Sequence, residues 1–272
     1  MQKVKPKKAL GQHFLTDLSI AGRIASTLDD FKNLPVIEVG PGMGVLTCPL
    51  LEEGHNVKVA EIDSESVAYL RNEFPQLESE GRIIETDFLA LDLTKVFPGA
   101  DKICVIGNYP YNISSQIFFH VLDYRDLVVC CSGMLQREVA ERLAAPPGTK
   151  ARGILSVLLQ AWYDVEYLFT VDEHVFDPAP KVKSGVIKMT RNSVMNLGCD
   201  ERMFKTLVKT TFGQRRKTIR NSIKGLVPPG MSLADIESVE DEKGRPILGL
   251  RPEQLSVKDF ISLANRLTDQ LK

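Results

Sequence analysis

Apolar positions along this chain fall into two alternating patterns. Short runs at 34–39, 56–62, 82–86, 102–107 and 127–135 are rich in β-branched residues and predict strands. Between them, apolar residues recur at helical spacing: Ile20, Ala21, Ile24 and Leu28, then Val45, Leu46, Leu50 and Leu51, then Val67, Leu70 and Phe74, then the stretch 113–122. Thr16 and Asp17 offer an N-cap to the first of these. Strands alternating with helices over short connections predict a parallel sheet covered on both faces.

After 135 the pattern loosens. Residues 136–143 read as a helix that Pro146-Pro147-Gly148 breaks, and 153–163 is apolar with a period that fits helix or strand. Residues 165–171 and 182–190 alternate like antiparallel strands, on either side of a proline-stiffened loop at 175–182. Beyond 191 there are only helix signals. Asp200 caps a stripe of Met203, Phe204, Leu207, Val208 and Phe212, and Ser256 opens another of Phe260, Leu263, Ala264, Leu267 and Leu271. The expected fold is therefore α/β: a doubly wound Rossmann-like domain over 1–190 with a small C-terminal helical domain over 191–272. The amino terminus is a basic arm with Lys3, Lys5, Lys7 and Lys8, but Gly11-Gln12-His13-Phe14-Leu15 ends apolar and must pack on something.

Composition changes this picture little. Apolar content is 43 % and charged content 25 %, ordinary for a globular chain, and the net charge of −1 argues mildly against a nucleic-acid protein. The average hides an uneven distribution. Between 204 and 224 lie Lys205, Lys209, Arg215, Arg216, Lys217, Arg220 and Lys224 with no acid, and Asp235, Glu237, Glu240, Asp241 and Glu242 then cancel them. A solvated helix face is the plain alternative, but the missing acids and the interleaved Gln214 and Asn221 favour a surface for RNA phosphates. Five cysteines without C-x-x-C spacing or paired histidines predict reduced thiols and no metal site. No bilayer span and no secretory signal are present, so a cytoplasmic protein is expected. No heptad seam suggests a dimer, and a monomer is expected.

The candidate chemistry sits at strand ends. Glu38-Val-Gly40-Pro-Gly42-Met-Gly44 follows the first strand, where glycines let backbone approach a ligand. Glu61 lies 21 residues past Gly40, at the end of the next strand, suited to ribose hydroxyls. The spacing lacks the third dinucleotide glycine and favours a mononucleoside, while leaving NAD and S-adenosylmethionine unseparated. Asp87 ends the third strand and reads equally as a helix N-cap or as an acceptor for an adenine amine. The sharpest signal is Asn108-Tyr109-Pro110-Tyr111. Methyl transfer to adenine N6 must overcome a lone pair delocalised into the ring. The side-chain carbonyl of Asn108 and the backbone carbonyl of Pro110 can accept the two N–H protons and aim that lone pair. Tyr111 can stack on the extruded base.

Five phrases in order carry a family resemblance: Lys7-Lys-Ala-Leu-Gly-Gln-His-Phe-Leu15, Glu38-Val-Gly-Pro-Gly42, Asn108-Tyr-Pro-Tyr-Asn-Ile-Ser114, Phe176-Asp-Pro-Ala-Pro-Lys-Val182 and Phe212-Gly-Gln-Arg-Arg-Lys-Thr-Ile-Arg-Asn-Ser222. Together they resemble the ribosomal-RNA adenine-N6 dimethyltransferases of the KsgA type. Tyr109 departs from the Leu, Ile or Pro more usual there, and its hydroxyl needs a partner. The resemblance implies S-adenosylmethionine as methyl donor, with His13, Leu15, Gly40, Gly42, Glu61, Asp87 and Asn108 around it. It implies small-subunit (16S) rRNA near its 3′ end as substrate, two adjacent adenosines each receiving two methyl groups, and a role in small-subunit biogenesis. It gives the Gly11 to Leu15 phrase the role of a lid, and sets Phe176 opposite Tyr111 across the target ring. It makes 1–190 the S-adenosylmethionine-dependent methyltransferase domain and 191–272 the helical rRNA-binding domain, with Lys205, Lys209, Arg215, Arg216, Lys217 and Arg220 on the RNA. Two alternatives stand beside it: a large-subunit rRNA adenine methyltransferase of the antibiotic-resistance type, and a non-catalytic rRNA-binding assembly factor.

Overall fold

The computed structural model describes residues 4–7, 10–227, 229–230 and 232–268, so the expectations for Lys3, Lys8 and Leu271 lie outside the described residues. The chain forms two compact units, one from Met1–Glu141 with Asp164–Arg191, the other from Arg142–Tyr163 with Asn192–Lys272.

The first unit opens with a two-residue strand β1 (Phe14–Leu15) and helix α1 (Leu18–Ala25). Asp17 caps α1 by accepting from the backbone N–H groups of Ser19 at 2.9 Å and Ile20 at 3.2 Å. Strand β2 (Val36–Val39), helix α2 (Thr47–Glu52), strand β3 (Val57–Glu61), helices α3 (Ser64–Glu73) and α4 (Pro75–Ser79) and strand β4 (Ile83–Glu85) follow. Strand β5 (Ile103–Asn108), helix α5 (Ser114–Asp123), strand β6 (Val128–Gln136) and helix α6 (Arg137–Leu143) complete the alternation. After helix α7 (Ile154–Gln160) come β7 (Tyr163–Val171), the short β8 (Phe176–Asp177) and β9 (Ser184–Arg191).

Seven strands form one sheet in the order β4-β3-β2-β5-β6-β9-β7. Strand β2 pairs in parallel with both β3 and β5, and β5 pairs in parallel with β6. The sheet is not parallel throughout, because β9 runs antiparallel to β6 and separates it from β7. The strands of the first half step outward from β2 to one edge; the chain then returns to lay β5 on the other side of β2. That reversal leaves a crevice beyond the carboxyl ends of β2 and β5, where ligands of open α/β sheets bind. Strand residues such as Val36, Val59 and Ile106 share one core with Ile24, Leu50 and Leu70 from the helices. Truncating a fully buried residue such as Ile106 costs about 2–5 kcal/mol.

The second unit holds α7, α8 (Glu201–Gly213), α9 (Ile219–Ser222) and α10 (Val257–Thr268). Helix α8 packs on α7 and α10. Phe260 of α10 meets Phe204 edge-on, centroids 6.5 Å apart, and Phe212 stacked at 6.2 Å. Residues Arg142–Tyr163, assigned to the first domain by the sequence pattern, belong here instead. The run 153–163 resolves as α7 followed by the start of β7. Its period was uninformative because Leu155, Ser156, Val157, Leu158 and Leu159 are all buried, leaving no polar face. The buried Arg152 and Gln160 lock this segment to the preceding turn: Arg152 Nη1 donates to Ala145 O at 2.8 Å and Gln160 Nε2 to Leu143 O at 2.9 Å. Among the described residues, no helix is long and apolar enough to cross a membrane.

Candidate active site

A cavity of about 300 Å³ occupies the crevice, lined by residues that follow β2, β3, β4 and β5 and by residues 10–15 of the arm. It brings together His13, Leu15, Gly40, Gly42, Glu61, Asp87, Asn108, Pro110 and Tyr111.

The glycine loop is shaped by its lack of side chains. Gly42 has φ +56°, and a Cβ there would lie 2.8 Å from Phe14 Cε1. Gly44 has φ +77°, and a Cβ there would lie 2.3 Å from the Phe74 ring. Both the left-handed backbone and the close approach therefore require glycine. Across the loop Glu61 is buried, with Oε2 accepting from Gly42 N–H at 3.1 Å and Oε1 from Asp63 N–H at 2.8 Å. Burial pushes its carboxyl pKa up, against those bonds. Each oxygen keeps a lone pair for a ligand hydroxyl. Asp87 takes the first of its two expected readings, the cap, and also lines the cavity. Its Oδ1 caps the turn Phe88–Ala90 by accepting from Leu89 N–H at 2.9 Å.

Asn108 ends β5, and its Nδ2 donates to His13 O at 3.0 Å. That bond leaves the amide oxygen as the acceptor available to a ligand. Tyr109 turns inward: it is buried, and its hydroxyl donates to Ser132 O at 2.7 Å, which supplies the partner its position demands. Tyr111 lines the cavity, and its hydroxyl lies 2.5 Å from Ser184 Oγ on β9.

The arm is fastened over the cavity at two points. Lys7 Nζ is bonded to Asp63 Oδ1, and Gln12 Nε2 donates to Asp63 Oδ2 at 3.3 Å. Burial raises the Asp63 carboxyl, but the bonds from Lys7, Gln12 and Ser66 outweigh it and hold its pKa below the usual range. Farther along, β1 pairs antiparallel with β8, Leu15 opposite Phe176, and His13 Nδ1 lies 2.7 Å from Pro178 O. The imidazole of His13 stacks on the Tyr111 ring. Phe176 is not brought to the cavity: it is 5 % exposed and packs in the core with Leu15 and Ile24, because its pairing with β1 turns the ring inward.

Two groups escaped the sequence reading. Glu38 is fully buried beside the cavity, its Oε2 accepting from Thr47 Oγ1 at 2.7 Å, and burial pushes its pKa up to about 8. An acid inside the apolar run Val36-Ile37-Glu38-Val39 was the available signal. Ser184, buried against Tyr111, had none.

The basic positions lie in the second unit. Lys205 and Lys209 lie on α8, whose buried side is Phe204, Leu207 and Val208. Lys209, Arg216, Lys217 and Arg220 are exposed, but Arg220 Nη2 donates to Glu237 Oε1 at 2.7 Å. Arg215 is half-buried, bonded to Lys150 O and 3.9 Å from Glu253.

Comparison with known proteins matches this arrangement. A family model described as "Ribosomal RNA adenine dimethylase" matches residues 3–267. A protein of Parabacteroides distasonis named "Ribosomal RNA small subunit methyltransferase A" is 66 % identical over 97 % of this chain and 94 % of its own length. One of the same name from Porphyromonas gingivalis is 63 % identical over 97 % of this chain and 98 % of its own. A solved dimethyladenosine transferase from Plasmodium falciparum shares the fold, with TM-score 0.73 and 23 % identity over 92 % of this chain and 96 % of its own. The 23S rRNA methyltransferase ErmE aligns at TM-score 0.65 and 25 % identity over 93 % of this chain and 99 % of its own.

Proposed function

Starting from the fact that the chain belongs to the ribosomal RNA adenine dimethylase family, we propose that it dimethylates the N6 amines of adenosines in small-subunit rRNA, with S-adenosylmethionine as donor. The target is two adjacent adenosines near the 3′ end, in the cytoplasm, during small-subunit biogenesis. The small-subunit name shared by relatives at 66 % and 63 % identity supports this over the large-subunit reading, whose solved representative is 25 % identical.

The residues present fit the donor. Three left-handed glycines open the backbone, Glu61 offers carboxylate lone pairs to ribose hydroxyls, and Asp87 keeps Oδ2 for an adenine amine. When bound, S-adenosylmethionine supplies an electrophilic methyl group on a sulfonium. The observation that carries the reading is the commitment of Asn108 Nδ2 to His13 O, which fixes the amide so that its oxygen is the free acceptor. That oxygen and the carbonyl of Pro110 accept the two N6 protons of the target base, and the nitrogen lone pair is thereby directed along the transfer path. As the nitrogen takes the methyl in place of its bond to the donor sulfur, it turns acidic and releases one proton to water; one N–H then remains, and one acceptor suffices to orient it. Tyr111, held by Ser184, provides the stacking face for the flipped base. Phosphates are held by Lys205, Lys209, Arg216, Lys217 and Arg220 of the helical unit.

The test is methyl transfer from labelled donor to immature small subunits by the wild type and by Asn108→Ala. Incorporation as dimethyladenosine, falling about 10²–10³-fold in the variant while subunit binding persists, is expected. Full methylation by the variant would remove the acceptor role, and incorporation only into large-subunit rRNA would overturn the substrate.

A further inference from the structure

At the opposite end of the strands from the cavity, before β3 begins, lies a buried histidine that the methyl-transfer chemistry does not use. His55 has a fully buried side chain, and neither ring nitrogen has a hydrogen-bond partner among the described residues. A buried imidazole without a partner forfeits about 1–3 kcal/mol, so it calls for an explanation. Its Nε2 lies 3.7 Å from Glu53 Oε2, too long for a hydrogen bond. That oxygen is itself buried and unpartnered among the described residues. Asp29, in the turn Ser26–Phe31 after α1, completes the group: one ligand atom from each of Asp29, Glu53 and His55 lies within 4.8 Å of the others.

We propose that Asp29, Glu53 and His55 form a binding site for a divalent cation of the zinc type. One imidazole nitrogen with two carboxylate oxygens is a borderline donor set, suited to Zn²⁺ over the hard cations Mg²⁺ and Ca²⁺, which take oxygen ligands. Two ligands bonded tetrahedrally at about 2.0 Å stand roughly 3.3 Å apart, a little less than the 3.7 Å between His55 Nε2 and Glu53 Oε2. Gly54, at φ +83°, makes the turn that brings Glu53 and His55 to the same point from the end of α2 and the start of β3. Water fills the remaining position. Lys32 Nζ sits 3.1 Å from Asp29 Oδ1 and is the internal competitor for that carboxylate. The spacing 29, 53 and 55 matches no sequence pattern for metal binding, which is why the sequence led to the expectation of no metal. At this end of the sheet the cation fastens the turn after α1 to the α2–β3 junction.

The experiment is titration of the purified full chain, first stripped with chelator, with ZnCl₂ by calorimetry and by competition with a chromophoric chelator. One saturable equivalent is expected, lost in both His55→Ala and Asp29→Asn. Asp29 is exposed, so its substitution leaves the fold intact and stands in for His55→Ala if that variant misfolds. Lys32→Ala is expected to bind Zn²⁺ more tightly than the wild type, which a purely structural histidine would not produce. His174→Ala removes the exposed histidine of a separate cluster with the half-buried Asp172 and Glu173 and is expected to leave the equivalent in place. Saturating Zn²⁺ is expected to raise the melting temperature of the wild type by about 2–4 °C and not that of Asp29→Asn. No saturable binding, binding indifferent to both Asp29→Asn and His55→Ala, or equal affinity for Mg²⁺ would overturn the proposal.

Discussion

The imidazole of His13 lies stacked on the ring of Tyr111, centroids 5.4 Å apart and planes inclined by 26°. At stacking distance nothing can be slid between the two rings. On the side that His13 covers, a base and the imidazole must therefore exchange places. Tyr111→Ala is expected to lower kcat/KM for RNA about 5–150-fold, the equivalent of one base–aromatic stack of about 1–3 kcal/mol. Tyr111→Phe keeps the ring and gives up only the bond to Ser184, so it should retain most activity. His13→Ala is expected to raise the donor Kd while leaving RNA affinity within a factor of about two or three. Equilibrium binding of each ligand to each variant separates the effects; equal impairment in Tyr111→Ala and Tyr111→Phe would deny the ring its role.

Gly42→Ala places a Cβ 2.8 Å from Phe14 Cε1 on a backbone at φ +56°. The left-handed conformation alone costs about 1–2 kcal/mol. The clash falls on β1, so the arm should loosen as well. A lower melting temperature together with weaker donor binding is expected. Loss of stability with unchanged donor affinity would show that the loop and arm do not act together.

Glu38 gives the protein an unusual pH dependence. Its pKa rises from the ordinary 4.5 to about 8 on folding, so between those values the folded chain holds a proton that the unfolded chain has released. Stability from this group is present below about pH 4.5 and is lost as pH rises toward 8, with a limiting slope of about 1.4 kcal/mol per pH unit. Glu61 is shifted in the same direction by burial and adds to the trend. Glu38→Gln, an uncharged isostere, is expected to flatten the fall and to be more stable than the wild type at pH 8. Denaturant unfolding at pH 6 and pH 8 measures it, and parallel curves for the two proteins would contradict the shift.

The cationic residues of the helical unit divide by environment. Arg216 and Lys217 are exposed, whereas Arg215 is half-buried and bonded to Lys150 O. Replacing Arg216 and Lys217 with alanine is expected to reduce the slope of log K against log salt by about 0.7–0.9 for each phosphate left unneutralised, with little change in melting temperature. Arg215→Ala should lower the melting temperature as well. An unchanged salt slope in the double variant would return that surface to plain solvation.

What the sequence made legible follows from which forces are local. Strand ends carrying Gly40, Glu61, Asp87 and Asn108 could be read because a parallel sheet aligns carboxyl ends whatever its remaining details. The inward turn of Phe176 could not, since it depends on the pairing of β1 with β8, two residues on each side and far apart in the chain. Helix α7 hid because it is buried almost all round, which erases the polar face that marks a helix. Glu38 was visible as a letter but not as a titrating group, because its shift comes from desolvation that only the folded core supplies.

The fastening of Phe14–Leu15 to Phe176–Asp177 also sets a timetable. A nascent chain that has not yet reached Phe176 already owns the glycine loop, Glu61, Asp87 and Asn108. It has no strand to hold the arm across them. Until Phe176 is made, the arm is therefore held only by the Lys7 and Gln12 bonds to Asp63 and by the Asn108 bond to His13 O, and its pairing with β8 is the last fastening to become possible.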